Sequence, residues 1–196
     1  MTDRIAAQFA FLDEAGRLKQ VLRASRLADG SRRENSAEHS WHLALYALVF
    51  ADQAPAGVNI DRVVRMLILH DLVEIDTGDV PIHSADGQAH GSAEVQAAEA
   101  AAADRIFGLL PPDLGAPMRA LWQEFEDGQT PDAVFARALD RAQPVALNLA
   151  GRGGTWVDYG VTLDQLDRRV GTRIDRGAPA LWAHLRERAA DWFSRR

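Results

Sequence analysis

The segment from Met66 to Asp79 constrains the fold most, because this apolar run, MLILHDLVEIDTGD, carries a histidine and two acids within five positions. At about 100° per residue of an α-helix, His70, Asp71 and Glu74 point to one side of the helix. The rest of the run is apolar almost all round, which is typical of a helix buried on most sides. A buried helix must give its charged side chains partners, so the segment predicts a polar site between packed helices.

Histidine and carboxylate side chains are the ligand types that suit a divalent metal ion, and the adjacent His70 and Asp71 need further ligands from elsewhere in the chain. His39 is a candidate, since it lies in the first turn of another predicted buried helix, about residues 36–53. Taken alone, His39 is explained by a hydrogen-bonded role in the core or at the surface. The His70 and Asp71 pair on a second buried helix favours a shared metal site.

Asp140 is the other candidate ligand, and it lies in the middle of an apolar helix predicted over about residues 131–149. Considered alone, Asp140 is explained by an ordinary helix ion pair with Arg137 or Arg141. Pro144 is expected to kink this helix just after Asp140.

Length and composition favour one soluble domain that acts on a small molecule. The 196 residues fit a single domain over 1–196, with the motifs within about 10–150 and C-terminal helices at about 162–195 packed on them. A formal charge of −6, with the basic residues spread along the chain, argues against nucleic-acid binding. No apolar run approaches the ~18 to 20 residues of a membrane span, so we expect no membrane contact and a cytoplasmic location. Cysteine is absent, so any metal must be held by nitrogen and oxygen.

Apolar residues at helical spacing predict one N-terminal helix over about residues 3–24. Lys19, Arg23 and Arg26 follow one another at intervals of four and three, which would form one positive stripe able to face a phosphate. Arginine is the usual cation of this chain, so a solvated or ion-paired side chain is the alternative for Arg23.

Two segments have the composition of loops. The first leads into Asn35, and the spacing of Asn35 and Glu38 resembles a capping box that starts a helix. The second, residues 80–91, lacks periodicity and is expected to form a mobile loop beside the site. His83 and His90 within it can contact a substrate or simply be exposed.

Gly78 suits the positive-φ residue that closes a helix, so Asp79 is expected to turn back towards the face that holds Glu74. The alternative for Asp79 is a simple turn carboxylate.

Four further helices are predicted in the second half of the chain. They lie at about residues 92–108, 114–127, 163–176 and 179–193. The small residues of the first suit close packing, and Glu126 in the second is expected on a solvated face. The inner face of the last is expected to consist of Leu181, Trp182, Leu185, Ala189 and Trp192. The part beyond about residue 150 carries no motif that bears on function.

Taken in order, the candidate ligands form the pattern H…HD…D on three predicted helices. This pattern resembles the HD-domain metal-dependent phosphohydrolases. Four segments resemble, within that superfamily, the 5′-deoxynucleotidase subfamily that cleaves deoxynucleoside monophosphates: RLKQVLR (17–23), RENSAEHS (33–40), HDLVEIDTGD (70–79) and LDRAQ (139–143). The resemblance implies an all-α HD-domain helical bundle with the metal site between buried helices.

The resemblance also implies a role for each matched residue. The ligands of a divalent ion would be His39, His70, Asp71 and Asp140. Glu74 matches the family's catalytic glutamate and Asp79 an acid near the sugar, so both are the expected catalytic acids, and some relatives assign both to a second ion. Arg23 matches an arginine that contacts the phosphate. Some members place tryptophan directly after this arginine, where it helps to exclude a ribose 2′-hydroxyl, whereas Ala24 here leaves the deoxyribose selectivity open.

The expected function is therefore hydrolysis of (deoxy)nucleoside 5′-monophosphates by a homodimeric, metal-dependent phosphomonoesterase. Manganese, cobalt, nickel, iron or zinc suit nitrogen and oxygen ligands, and magnesium suits two imidazoles less well. One alternative is a different HD hydrolase that cleaves a guanosine polyphosphate alarmone or a cyclic nucleotide. Alarmone hydrolases of this superfamily carry an adjacent Glu-Asp pair, whereas Ile75 follows Glu74 here. The other alternative is a non-catalytic metal-binding helical protein. The presence of all four candidate ligands together with Glu74 and Asp79 argues against it.

Overall fold

The computed structural model describes residues 3–83 and 92–196, and most of these residues lie in helices. This confirms the predicted all-α class, with one short antiparallel hairpin added. The helices and strands are α1 Arg4–Gly16, β1 Leu22–Arg26, β2 Arg33–Asn35, α2 Ser36–Val49, α3 Ile60–Leu69, α4 Glu74–Thr77, α5 Ala93–Phe107, α6 Pro112–Asp127, α7 Pro131–Ala150, α8 Gly154–Asp158, α9 Leu163–Leu166, α10 Thr172–Gly177 and α11 Pro179–Ser194. Tighter 3₁₀ turns cover Arg17–Gln20, Ala51–Gln53 and His70–Val73, and a wider π turn covers Asp167–Gly171.

The N-terminal helix is shorter than predicted. α1 ends at Gly16, a 3₁₀ turn follows, and Val21 adopts extended backbone angles of φ −80° and ψ 115°. β1 then pairs antiparallel with β2, with Leu22 opposite Asn35. The prediction of a helix to residue 24 is therefore wrong after Gly16, because long-range pairing with β2 supplies the backbone hydrogen bonds there.

The predicted positive stripe of Lys19, Arg23 and Arg26 does not form. Arg23 lies on β1 and is buried, whereas Lys19 and Arg26 are exposed. The helical spacing that suggested the stripe fails because successive side chains of a strand point to opposite faces.

α2 begins with the predicted capping box. The Asn35 side chain accepts from the Glu38 backbone N–H at 2.9 Å, and the Glu38 carboxylate accepts from the Asn35 N–H at 3.1 Å. His39 is completely buried, but the prediction that α2 is buried nearly all round is wrong for one face. Trp41 and Leu48 on that face are 64% and 58% exposed.

The central segment is helical but not one continuous α-helix. α3 ends at Leu69, residues His70–Val73 tighten into a 3₁₀ turn, and α4 follows. The His70 ring hydrogen-bonds to the carbonyl of Leu67, three residues back, and this local bond accompanies the tightened turn. Gly78 ends α4 with φ +73°, the positive φ that its position predicted.

α7 forms the centre of the fold and packs against α2, α3, α6, α10 and α11. Phe135 and Leu139 are fully buried within it, and the polar Asp140 and Gln143 are buried on the same helix. α7 continues through Pro144 without ending. Proline has no N–H, so the carbonyl of Asp140 lacks the helical donor that it would normally have four residues on.

The C-terminal segments are helical as predicted. α9, the π turn and α10 follow one another. Of the five predicted inner positions of α11, Leu181, Trp182, Leu185 and Ala189 are buried and Trp192 is half-buried. Trp156 lies in the short helix α8 and is buried. In the described part of the chain, no helix is both long and apolar enough to cross a membrane.

Candidate metal centre

The four predicted ligands meet at the centre of the fold. His39 comes from α2, His70 and Asp71 from the 3₁₀ turn, and Asp140 from α7, and all four are buried. One nitrogen or oxygen atom from each of His39, His70 and Asp71 lies within 4.8 Å of the other two. Oδ1 of Asp140 lies 3.0 Å from Nε2 of His39 and 3.7 Å from Nε2 of His70. Residues 101 positions apart along the chain, His39 and Asp140, are thus in direct contact.

Hydrogen bonds fix which ring nitrogen of each histidine faces this centre. Nδ1 of His70 lies 2.9 Å from the carbonyl oxygen of Leu67, which can only accept, so Nδ1 carries the proton. Nδ1 of His39 lies 3.0 Å from Oε1 of Gln143, whose amide nitrogen donates to Glu34 at 2.8 Å. In the neutral rings, both Nε2 atoms therefore point lone pairs at the carboxylates, which is the arrangement of metal-binding imidazoles.

The donor atoms fit a divalent cation. Nε2 of His70 is buried and makes no hydrogen bond within the described residues, although Oδ1 of Asp71 is only 2.9 Å away. Nε2 of His39 likewise faces an acceptor, Oδ1 of Asp140. A pair of acceptors at this distance needs a proton or a cation between them, and two imidazoles with two carboxylates form a typical set for such a cation.

The electrostatics of the centre favour positive charge at His70. Burial lowers the pKa of the His70 ring, but the carboxylates of Asp71 and Asp140 outweigh it and raise the pKa to about 10. Burial and the charge of Arg23 lower the pKa of His39 to about 4. Burial raises the pKa of Asp71, but the charges of His70 and Arg23 lower it to about 2. The field that holds a proton on His70 also attracts a metal cation.

Arg23 lies among acids beside this centre. Its Nη1 donates to Oδ2 of Asp71 at 2.8 Å and lies 3.8 Å from Glu74 and 4.0 Å from Asp79. Its Nε lies 4.0 Å from Glu34. Burial lowers the pKa of the guanidinium, and the surrounding carboxylates raise it by more, so Arg23 is a permanent positive charge.

Glu74 and Asp79, the predicted catalytic acids, both face Arg23. Oε2 of Glu74 accepts from the hydroxyl of Ser36 at 2.5 Å, and burial together with the charge of Asp71 raises the Glu74 pKa well above its ordinary value. Oδ2 of Asp79 accepts from the backbone N–H of Ala24 at 3.0 Å, and burial raises its pKa as well. Asp79 thus turns back from Gly78 towards Glu74, as predicted, and its position ties α4 to strand β1.

A cavity of about 680 Å³ opens beside the centre. Its wall includes Arg23, His70, Asp71, Glu74, Asp79 and Asp140. Glu126, expected on a solvated face, also lines the cavity, and burial raises its pKa. His83 lies on the wall too, whereas His90 falls outside the described residues.

Three polar residues that support the centre were not singled out from the sequence. Glu34 is 2% exposed and contacts His39 and Arg23, Gln143 joins Glu34 to His39, and Ser36 holds Glu74. Glu34 and Ser36 lie within RENSAEHS and Gln143 within LDRAQ. Because these segments also contain the predicted ligands His39 and Asp140, the sequence could have indicated that Glu34, Ser36 and Gln143 lie near the site.

Comparison with known proteins places the chain in a family. A sequence profile described as HD domain matches residues 15–182, so the chain belongs to the HD-domain family. Its sequence is 31% identical to human 5′-deoxynucleotidase HDDC2 over 136 residues, which are 69% of this chain and 63% of the human protein. It is 27% identical to a 5′-deoxynucleotidase of Erwinia tasmaniensis, over 65% of this chain and 66% of that protein. The aligned part is thus less than two thirds of the human relative's length.

A solved structure extends the similarity over nearly the whole chain. The crystal structure described as a predicted metal-dependent phosphohydrolase from Magnetospirillum magnetotacticum MS-1 is 46% identical, with a TM-score of 0.90 over 98% of this chain and 96% of that one. The resemblance to the HD-domain phosphohydrolases that the motifs suggested is confirmed.

Proposed function

We propose that this protein is a metal-dependent phosphomonoesterase that hydrolyses (deoxy)nucleoside 5′-monophosphates to a nucleoside and phosphate. The observation that carries the proposal is the pair of buried Nε2 atoms, of His39 and His70, that face the carboxylates of Asp71 and Asp140 beside a ligand-sized cavity. The names of the 5′-deoxynucleotidase relatives support the choice of substrate.

The proposed ligands are His39, His70, Asp71 and Asp140. A divalent cation bound there would polarise a phosphoryl oxygen and make a nearby water more acidic. Manganese, cobalt, nickel, iron and zinc all suit these ligands, and magnesium suits them less well.

Glu74 is the proposed acid–base residue. It lies one turn after His70, lines the cavity, and has a raised pKa, which is the property that proton transfer near neutral pH requires. In the proposed reaction the oxygen of water bonds to phosphorus and the bond from phosphorus to O5′ breaks. Glu74 takes a proton from the water, and that proton ends on the departing O5′. The hydroxyl of Ser36 orients the carboxylate of Glu74 for this task.

Arg23 and Asp79 are the proposed substrate contacts. Arg23 brings a permanent positive charge to the wall where the phosphate would lie, which stabilises charge that develops on the phosphoryl oxygens. Oδ2 of Asp79 is held in place by the N–H of Ala24, and Oδ1, 4.0 Å from Arg23, can accept from a sugar hydroxyl. The small side chain of Ala24 also lines the cavity, so we expect ribonucleotides to enter as well as deoxyribonucleotides.

A panel of nucleotides, assayed for phosphate release with added manganese or cobalt, tests the proposal. Release from 5′-monophosphates supports it. Turnover of only guanosine polyphosphates or cyclic nucleotides would replace it with the other HD hydrolase, and metal binding without any turnover would favour a non-catalytic protein. Asp71→Ala should bind no metal and release no phosphate, whichever nucleotide is the substrate.

A further inference from the structure

We infer that the cavity contains a second phosphate-binding subsite, formed by Arg141, Arg169 and Arg173 beside His83, and that the preferred substrate is a nucleotide with a second phosphate group. The inference rests on the proposed function, because it assigns the first, scissile phosphate to the metal centre. We call these four residues the arginine subsite.

Two elements place the arginines on the cavity wall. Arg137 and Arg141 lie one turn apart on α7, and Arg169 and Arg173 lie one turn apart where the π turn joins α10. Nη1 of Arg141 lies 3.7 Å from Oδ2 of Asp140, which puts the start of the arginine subsite directly next to the metal centre. The C-terminal segment, which carried no motif in the sequence, thus contributes to the cavity.

His83 adds an uncharged polar group at this place. Its Nδ1 is buried and has no hydrogen-bond partner among the described residues, and its ring lies 6.4 Å from that of Tyr159. Burial, with the charges of Arg169 and Arg141, lowers the pKa of His83 to about 4, so the ring is neutral at physiological pH. A neutral imidazole can donate one N–H to a phosphate oxygen.

The charge of the arginine subsite favours an anion. Partial burial and repulsion from Arg141 and Arg137 outweigh the attraction of Asp140 and Glu126 and lower the pKa of Arg173, so the positive charges prevail at this position. Arg173 forms no hydrogen bond or ion pair with the described residues. Guanidinium groups match phosphate with paired N–H donors, and a bound phosphate would relieve the repulsion.

Arg23 is less suited to a second phosphate, because four acids surround it: Asp71, Glu74, Asp79 and Glu34. A nucleoside monophosphate brings one phosphate, which the metal centre and Arg23 would already balance. A nucleoside 3′,5′-bisphosphate brings a second anionic group on the same molecule. Free phosphate, the reaction product, has the same chemistry and is the other possible occupant.

The test compares wild type with Arg173→Gln, and uses Arg176→Gln as the control because both arginines are exposed residues of α10 but only Arg173 lines the cavity. For each protein, kcat/KM is measured with the 5′-monophosphate and the 3′,5′-bisphosphate of the best nucleoside in the panel. We expect wild type and the control to prefer the bisphosphate, and Arg173→Gln to lower that preference by about 10- to 100-fold, the size of one charged hydrogen bond. Equal loss on both substrates, or no loss, would overturn the inference.

Calorimetry separates this inference from the proposed function. Both nucleotides are titrated into EDTA-treated protein, in which hydrolysis does not interfere. Tighter binding of the bisphosphate to wild type than to Arg173→Gln supports the arginine subsite even if no nucleotide is hydrolysed. Equal binding of the two nucleotides to wild type would overturn the arginine subsite, even if monophosphates are good substrates. Inhibition by inorganic phosphate that weakens in Arg173→Gln, without a bisphosphate preference, would keep the subsite and overturn the substrate assignment.

Discussion

Oε1 of Gln143 lies 3.0 Å from Nδ1 of His39, and this contact leaves Nε2 as the ring nitrogen that faces Asp140 and the proposed metal centre. The amide of Gln143 is held in turn by Glu34 at 2.8 Å, so its orientation is fixed. Gln143, which is not itself a proposed ligand, thereby orients the ring of the proposed ligand His39.

Gln143→Leu should therefore weaken metal binding. The substitution removes the acceptor for the His39 N–H, so the ring can rotate or change tautomer, and outer contacts of this kind are worth about 10- to 100-fold in metal affinity. A competition titration with a manganese chelator measures the loss. Gln53→Leu, at an exposed position, is the matched control. Unchanged affinity in Gln143→Leu would mean that His39 needs no such support.

Glu74→Gln should separate metal binding from turnover. The amide cannot accept the proton from water, so we expect kcat to fall by about 10²- to 10⁴-fold while the metal content stays the same. Asp76→Asn is the control, since Asp76 lies two residues further on and pairs with Arg105 at the surface. Elemental analysis and a phosphate-release assay give the two readouts. Full turnover in Glu74→Gln would remove Glu74 from its proposed role.

Arg23 leads us to expect one metal ion per chain. Its guanidinium already lies within 4.0 Å of Asp71, Glu74 and Asp79, where a second ion would have to bind. Native mass spectrometry should find one manganese per wild-type chain, and a second one in Arg23→Gln at higher metal concentration, because three acids then lack their cation. Two ions in wild type would contradict this expectation.

Glu99 should make stability depend on pH. Burial, together with the charge of Glu126, raises its pKa from 4.5 to about 7 in the folded state. The protonated form stabilises the fold below pH 4.5, and this stability is lost as the pH rises to about 7. Glu99→Gln should thus be more stable than wild type at pH 8 and equal to it near pH 4. Because Glu99 is partly exposed, we expect a gain of about 1 kcal/mol or less in the free energy of unfolding.

Thermal unfolding at the two pH values measures the effect on Glu99→Gln. Glu94→Gln, at an exposed position of the same helix, is the control and should show no such pH dependence. The same gain in stability at pH 4 and pH 8 would show that Glu99 is not the titrating group.

The exposed face of α2 is the expected contact of a homodimer. Trp41, Leu45 and Leu48 are 64%, 39% and 58% exposed and lie at helical spacing, so they form one apolar stripe. Leu48→Glu should convert a dimer into a monomer in light scattering, since it would bury a charge at the contact. Leu12→Glu, on the exposed apolar face of α1, is the comparison. Loss of the dimer in this variant, and not in Leu48→Glu, would place the contact on α1. A wild-type monomer would refute the dimer.

The sequence predicted those parts of the fold and site that depend on local pattern. The buried helices that carry His39, His70 and Asp140, the capping box of α2 and the inner face of α11 all follow from spacing along one helix. The hairpin was missed because Leu18 and Leu22 continue the apolar spacing of α1 beyond its end, while pairing between β1 and β2 is a longer-range interaction.

The surroundings of each site residue could not be predicted in the same way. The acids around Arg23 come from β2, the 3₁₀ turn, α4 and the residue after Gly78, and only the folded chain brings them together. The arginines of the C-terminal segment likewise looked like ordinary surface charges until the packing of α10 on α7 placed them at the cavity.

α7 supplies Asp140, Gln143 and Arg141 from the same helix whose apolar residues hold the other helices together. Repacking Phe135 or Leu139 to alter thermostability would therefore also displace a proposed ligand, its support and part of the cavity wall. Heat inactivation should consequently coincide with global unfolding, and engineering of this scaffold should begin at α1 or α11, which contribute no residue to the cavity wall.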